Sequence, residues 1–284
     1  MKIKQLFNSG RPLRSFEVFP PKRDGELEPL FQAIAAVKAL KPDFISVTYG
    51  AGGSNRGMAF EVASRLKRAG VEPLVHLTCV GHSSRQVAEV LDQLAAAGIE
   101  NILALRGDPP KGEAAFTQAP GGFKNAGELV RFIRSRWGFC VGVAGYPETH
   151  PEAASAQADM DALKWKVEGG ADFVTTQLFF DNALYFDYAR RARAAGVQVP
   201  IIPGVMPVFD VKGLARYASF GTRVPEALRQ QVMACGEAPG AAAAPGLAWA
   251  VEQCRGLLQG GAPGIHLYMM NKAATALALY QALG

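Results

Sequence analysis

Short runs rich in β-branched and aromatic residues alternate with amphipathic stretches along the whole chain. Eight of these runs predict strands, at 13–19, 43–49, 73–80, 101–106, 139–146, 172–178, 199–205 and 264–269. Helices are predicted between them, among others at 28–40, 58–69, 84–97, 126–137, 151–168 and 182–195. Several of these helices end in glycine just before the next strand, which is a common helix C-cap.

The alternation of strand and helix indicates parallel β-α-β units with right-handed crossovers. Eight such units close into a barrel, whereas an open doubly wound sheet usually has about six strands and begins with a glycine-rich fingerprint. Neither that fingerprint nor a phosphate-binding P-loop follows any predicted strand. The sequence therefore predicts an α/β protein, a (β/α)8 TIM barrel in which residues 1–284 form a single domain.

The connection between the seventh and eighth predicted strands is longer than the others. We expect an extended helical segment at 208–246, with two helices at about 211–219 and 225–234. The low-complexity stretch at 236–246 follows them, and its composition predicts a flexible connection within the same domain.

The overall composition narrows the classes of function. The chain has 284 residues, of which 49% are hydrophobic and 19% charged, as in ordinary globular proteins. Its net charge is +5 without a long basic run, so we expect solvated helix faces and no nucleic-acid surface. The four cysteines lack zinc-site spacing, which predicts a reduced protein without a metal site. Without an apolar signal core or a run of about 18 apolar residues, we expect a soluble, cytoplasmic protein.

Polar residues share one face of most predicted strands. A barrel strand directs alternate residues toward the helices and toward the lumen. In the first strand Ser15 and Glu17 share one face, and Phe16 and Val18 share the other. Comparable faces in later strands contain Ser46 and Thr48, His76 and Thr78, Gly142, Ala144 and Tyr146, and Thr175 and Gln177. Barrel interiors are usually bulky and branched, so a polar lumen predicts a ligand site.

These polar residues lie toward the carboxyl ends of their strands, where barrel active sites form. Arg106, Gly107 and Asp108 leave the fourth strand, and a glycine-rich segment at 50–54 follows the second. The backbone amides of that segment could approach a ligand closely, although a plain turn has the same composition.

Eight segments of the chain resemble methylenetetrahydrofolate reductase in their order and spacing: SFEVFPPK, SVTYGAGGS, HLTC, NILALRGDPP, AGYPETHPEA, SAQAD, TTQLFFD and IIPGVMPV. The resemblance covers nearly the whole chain. It implies a homo-oligomeric barrel enzyme of one-carbon and methionine metabolism, without nucleic-acid or membrane partners. Such an enzyme reduces 5,10-methylenetetrahydrofolate to 5-methyltetrahydrofolate with FAD as cofactor and NADH, or NADPH, as co-substrate.

The resemblance also implies roles for individual residues. Glu17 would be the catalytic proton donor to the folate, Asp108 would recognise the pterin, and Gln177 would contact both folate and nicotinamide. Lys272 would meet the folate tail. The positions that match the flavin site are Thr48, Tyr49, Ala51, His76, Arg106, Gly107, Asp108, Tyr146, His150, Ala153, Asp159 and Lys166.

Structural roles remain open for several of these residues. The apolar neighbours Phe16, Val18 and Phe19 predict a raised pKa for Glu17, which would suit an acid near neutral pH, but a buried ion pair with lysine or arginine is an alternative. Asp108 also fits a turn before a proline. The remaining alternatives are a satisfied lumenal amide at Gln177, a hydrogen-bonded core histidine at His76 and a helix cap at His150.

The chain departs from the family pattern at positions that affect ligand binding. Asn125 stands where the family has tyrosine, and Ala162 and Trp165 replace an asparagine and an arginine that face the flavin phosphates. Val232 aligns with the aromatic residue that covers the nicotinamide, and Lys272 replaces an arginine. These changes leave two alternatives open: a reductase on the same barrel in which hydride passes directly from NADH to folate, and a barrel that binds folate or flavin without turnover.

Overall fold

The computed structural model describes residues 1–21, 27–49, 56–108 and 116–284 and has the architecture of an α/β barrel. Its strands are β1 (Leu13–Val18), β2 (Phe44–Val47), β3 (Pro73–Thr78), β4 (Asn101–Leu105), β5 (Cys140–Gly145), β6 (Phe173–Thr176), β7 (Ile201–Ile202), β8 (Gly204–Val205) and β9 (Gly264–Tyr268). Its helices are α1 (Ile3–Leu6), α2 (Leu27–Lys38), α3 (Arg56–Arg68), α4 (Ser84–Ala96), α5 (Ala126–Arg136), α6 (Ala156–Glu168), α7 (Asn182–Ala194), α8 (Val211–Ser219), α9 (Glu226–Ala234), α10 (Ala243–Gln259) and α11 (Ala273–Leu283).

The sheet closes through a strand that a proline divides. All pairings are parallel, in the order β7-β6-β5-β4-β3-β2-β1-β9-β8. β7 pairs with β6 and β8 pairs with β9, and only Pro203 lies between β7 and β8. Proline has no N–H to donate, but its carbonyl accepts from the backbone N–H of His266 at 2.9 Å. The two short strands therefore act as one, and the predicted eight-stranded barrel is confirmed.

Apolar side chains fill the amino-terminal end of the lumen. One buried cluster takes a residue from seven of the eight strand positions around the barrel, all except β9: Leu13, Phe44, Leu74, Leu103, Cys140, Phe173 and Ile202, with Ile3 of α1 beneath them. The backbone N–H of Ile3 donates to Asn101 Oδ1 at 2.8 Å, which fixes α1 across this opening. The lower barrel is thus a packed, mostly apolar core in which Asn101 fixes α1, and most polar lumenal residues lie above it.

The predicted outer faces of the strands pack against the helices. Phe16, Val18, Ile45, Val47 and Val143 belong to one large buried core between the sheet and the surrounding helices. Within the described ranges, no helix has the length and apolar character needed to cross a membrane.

Helix α6 is shorter than the sequence pattern predicts. It begins at Ala156 instead of residue 151, because the Ser155 side chain caps it by accepting from the backbone N–H of Ala158. His150 therefore does not cap this helix, and its Nδ1 instead accepts from the backbone N–H of Glu152 at 3.0 Å.

The segment before β9 packs as a helical layer over the barrel. α8 and α9 bury Tyr217, Leu228 and Val232 in a small apolar cluster that also contains Phe180 and Val208. The predicted flexible connection at 236–246 is partly wrong, because α10 already begins at Ala243. Alanine is the strongest helix former, and a proline is tolerated in a first turn.

Gly246 makes the closest helix contact of this layer. A Cβ at this position would overlap the carbonyl oxygen of Val208. We expect Gly246→Ala to lower the free energy of unfolding by about 1–3 kcal/mol, the usual effect of overpacking. Gly57→Ala is the matched control, because a Cβ there meets nothing within 4 Å. Equal urea midpoints for the Gly246 variant and the wild-type protein would contradict the expectation.

Candidate active site

A cavity of about 340 Å³ opens at the carboxyl ends of the strands; we call it the central cavity. It brings together ten of the residues that the sequence singles out: Glu17, Thr48, Tyr49, His76, Arg106, Gly107, Asp108, Tyr146, His150 and Gln177. They come from six different strands or the loops that follow them, which is the usual construction of a barrel active site.

A second cavity, of about 330 Å³, lies beside it between α5 and α6; we call it the lateral slot. The slot contains Ala153, Asp159 and Lys166 together with the three departures from the family pattern, Asn125, Ala162 and Trp165. Both cavities are lined by Leu105, Arg106, Ala144, Tyr146 and His150, so they form one elongated site.

Glu17 lies between two histidines in the lumen. Its Oε2 is 3.3 Å from His76 Nε2 and 3.5 Å from His266 Nε2, and the Ser46 hydroxyl donates to it at 3.1 Å. Among the described residues, every contact of this carboxyl group is made by Oε2, which leaves Oε1 for the cavity. Within the described ranges, no lysine or arginine forms an ion pair with Glu17.

The expected rise in the pKa of Glu17 is wrong. Burial does raise the pKa, but the charge of His76 and the hydrogen bond with His266 outweigh it and lower the pKa to about 2. Of the three apolar residues invoked for a rise, Phe16 and Val18 lie on the opposite face of β1 in the outer core, and only Phe19 lines the cavity with Glu17. Glu17 is thus ionised in the ligand-free site.

Gly107 determines where Asp108 lies. Its φ of +90° is in the region that favours glycine, and a Cβ would collide with Val80 and Thr78. Asp108 follows at the exposed rim of the cavity.

Arg106 binds Glu152 through two hydrogen bonds of 2.5 and 2.7 Å, which raises the pKa of its guanidinium and places a bidentate ion pair where the two cavities meet.

Gln177 retains free hydrogen-bonding capacity. Its Oε1 accepts from the backbone N–H of Leu178 at 2.9 Å, which orients the amide so that the NH₂ group is available to the cavity. Among the described residues, Thr78 Oγ1 and Thr175 Oγ1 are buried without a hydrogen-bond partner, and both residues line the same cavity. Unpaired buried hydroxyls are costly unless a ligand satisfies them.

Lys166 and Asp159 form the polar floor of the lateral slot. Lys166 Nζ donates to the Ala144 carbonyl at 2.6 Å, and burial lowers its pKa to about 8 despite the nearby charge of Asp159. Asp159 accepts from the backbone N–H of His150 at 3.3 Å, while burial raises the pKa of its carboxyl group.

Three sequence-predicted positions are not among the described residues that line these cavities. Ala51, with the glycine-rich segment 50–54, lies outside the described residues. Lys272 Nζ lies 3.6 Å from the centroid of the Phe209 ring, beyond the cavity lining. Val232, which aligns with the nicotinamide-covering position of the family, is fully buried on α9 and does not line the central cavity. The aromatic residue from this segment that does line the central cavity is Phe220, which is 36% exposed.

Sequence reasoning missed His266 and Tyr268 on β9. Both stand on the same face of the strand, in GIHLYM, so the alternation used for the other strands would have found them. His266 is completely buried, with Nδ1 at 2.8 Å from Ser15 Oγ. The Tyr268 hydroxyl donates to the Thr176 carbonyl at 2.7 Å.

These residues suit a flat, polar ring more than a metal ion. Tyr49 and Tyr146 provide aromatic walls, and the unpaired hydroxyls of Thr78 and Thr175 fit the polar edge of a heterocycle. No group of three or more histidine, cysteine or acidic side chains in the described part of the chain is arranged to hold a metal ion. The described donor set is therefore compatible with a flavin ring in the central cavity.

Fold and site together define the class: an α/β barrel protein with a deep, elongated small-molecule site at the carboxyl end of its strands. A family model described as methylenetetrahydrofolate reductase matches residues 2–284. The 5,10-methylenetetrahydrofolate reductase of Pectobacterium carotovorum subsp. carotovorum is 36% identical over 97% of this chain and 91% of that protein. The chain belongs to the methylenetetrahydrofolate reductase family.

Other relatives differ in length. Methylenetetrahydrofolate reductase (NADH) 1 of Arabidopsis thaliana is 38% identical over 100% of this chain but only 50% of that protein, so the chain spans about half the length of this relative. Among solved structures, an uncharacterized protein from Clostridium thermocellum that binds two copies of 5-methyl-5,6,7,8-tetrahydrofolic acid superimposes with a TM-score of 0.65. That match has 14% identity and covers 99% of both chains, and it bears on the fold alone.

Proposed function

We propose that this protein reduces 5,10-methylenetetrahydrofolate to 5-methyltetrahydrofolate with FAD as cofactor and NADH as co-substrate. The observation that carries the proposal is the convergence of Glu17, Asp108 and Gln177 in one cavity at the carboxyl end of a barrel of this family. A relative named as an NADH enzyme supports NADH over NADPH. Four free cysteines fit a reducing cytoplasm, and we propose a homo-oligomer there.

The elongated site supports FAD as the cofactor. Thr48, Tyr49, His76 and Tyr146 would surround the flavin ring in the central cavity, and the lateral slot would hold the remainder of the dinucleotide. When bound, the flavin supplies the hydride transfer from NADH to the folate methylene carbon. The chain itself stacks the rings and limits access of water.

Asp108 and Gln177 would orient the folate. A carboxylate pairs well with the adjacent N–H donors of an amino-pyrimidinone, and Asp108 lies at the rim where such a ring would enter. The free NH₂ group of Gln177 provides a donor deeper in the cavity. Lys272, held against Phe209, would attract the anionic folate tail as a point charge.

Glu17 would deliver the proton to the folate. His76 Nε2 and His266 Nε2 lie 3.3 and 3.5 Å from Glu17 Oε2, so the three side chains are close enough to share the proton that the reaction needs. That proton would pass to Glu17 and from its free Oε1 to N10 of the folate, opening the methylene bridge. The imidazole would then be neutral and Glu17 would be ionised. Solvent would restore the proton through the cavity.

One observation favours a second candidate, direct hydride transfer from NADH to folate without flavin. The lateral slot offers few free cations for a diphosphate, because Arg106 is bound to Glu152 and Lys166 to Ala144.

The first test is the visible absorption spectrum of the purified protein. Flavin absorbance that NADH bleaches and methylenetetrahydrofolate restores would support the proposal. A colourless protein that gains no flavin on incubation, yet oxidises NADH when the folate is present, would support the second candidate.

A further inference from the structure

Trp165 is a large apolar side chain left partly open in the lateral slot. It lies on α6, is 37% exposed, and lines the slot beside the small residues Ala158 and Ala162. An exposed indole next to alanines forms a flat apolar surface about the size of an aromatic ring. Such a surface would gain stability by stacking against a planar ligand.

Contacts from α5 hold the indole in place. The guanidinium of Arg131 lies over the ring, 4.0 Å from its centroid, and its Nη1 donates to the Trp165 carbonyl at 3.1 Å. One turn earlier, a Cβ at Gly127 would overlap indole atoms Cε3 and Cζ3. Both contacts come from one face of α5, because residues four apart are neighbours on a helix. Trp165 nevertheless lines the lateral slot and stays 37% exposed, so part of the indole is open to a ligand there.

The polar groups of the slot suit a neutral base better than a phosphate. Its two cations are engaged, Arg106 by Glu152 and Lys166 by the Ala144 carbonyl. Asn125 accepts from the backbone N–H of Glu128 through Oδ1, so its NH₂ group is left as a donor. An amide donor beside an aromatic platform matches the ring nitrogens and the π face of a purine.

We propose that Trp165 is a stacking platform for the adenine of the dinucleotide, with the flavin ring of the same molecule in the central cavity. This inference rests on the proposed function, which provides the dinucleotide. In this proposal the protein binds a flavin dinucleotide more tightly than a mononucleotide because the adenine stacks on Trp165, and not because basic side chains bind the phosphates. The continuity of the two cavities allows one ligand to reach both.

The test compares FAD and FMN binding to protein freed of ligand. We expect Trp165→Ala to weaken FAD binding about 10-fold, the usual effect of removing a stacked aromatic residue, and FMN binding less than about twofold. Trp165→Phe should retain most of the FAD affinity. Lys164→Ala is the matched control, because this exposed neighbour on α6 lies outside the slot lining and should change neither affinity.

AMP provides a readout that is independent of flavin, because it has the base without the flavin ring. We expect AMP to quench tryptophan fluorescence in the wild-type protein and not in Trp165→Phe. The proposal would be contradicted if Trp165→Ala lost FAD and FMN affinity by the same factor, or if its FAD affinity did not change. If the wild-type protein binds neither flavin but AMP still quenches its fluorescence, FAD is not the cofactor. The role of Trp165 in stacking an adenine would still be supported.

Discussion

Glu17→Gln is expected to slow folate reduction about 10³-fold while leaving flavin reduction by NADH within about threefold of the wild-type rate. A glutamine of the same shape can occupy the position between His76 and His266, but it cannot carry a proton from them to the folate. Because hydride transfer from NADH needs no proton from this group, the two half-reactions should separate. Stopped-flow measurement of each half-reaction checks the expectation.

Glu148→Gln is the matched control for this variant. Its side chain is as buried as that of Glu17, at 6% against 7% exposure, but it binds Arg223 outside the cavity lining. We expect the control to reduce folate within about threefold of the wild-type rate. Normal folate turnover in Glu17→Gln would show that the proton comes from elsewhere, and equal loss in both half-reactions would indicate a damaged cavity.

The barrel and the faces of its strands could be predicted from the sequence because they depend on local alternation. Glu17 and Phe16 differ in polarity, and the pleat of β1 sends them to opposite faces whatever the rest of the chain does. The same reasoning places Thr48 and Gln177 at one cavity, since parallel strands bring their carboxyl ends to one edge. Closure followed from the count of β-α units, although Pro203 divides one strand in a way that the pattern did not indicate.

The electrostatics of the site could not be predicted in this way. Whether burial or charge dominates the pKa of Glu17 depends on His76 and on His266, and His266 is 249 residues away in the chain and reaches Glu17 only when β9 pairs with β1. Val232 shows the same limit, because a motif alignment across α8 and α9 cannot determine which aromatic residue turns into the cavity. In the folded chain Phe220 lines the central cavity, while Val232 packs in the apolar cluster formed by α8 and α9.

The lowered pKa of Glu17 predicts an acid-dependent loss of stability that the Glu17→Gln variant lacks. The pKa is about 2 in the folded protein against 4.5 for an ordinary glutamate. Between these values the unfolded chain binds the proton and the folded chain does not. Glu17 therefore stabilises the fold fully above about pH 5, by about 3 kcal/mol, and this contribution disappears as the pH falls through about 2.

At pH 3 the wild-type protein should have lost about 2 kcal/mol of this contribution relative to pH 6. Urea unfolding of both proteins at the two pH values measures it, because the loss common to all other carboxyl groups cancels in the difference. A wild-type protein that loses no more stability than Glu17→Gln would mean that the imidazoles do not hold Glu17 ionised. The proton for folate reduction would then reside on Glu17 itself. Glu17→Gln would still slow folate reduction strongly, but the acid-dependent loss of stability would be absent.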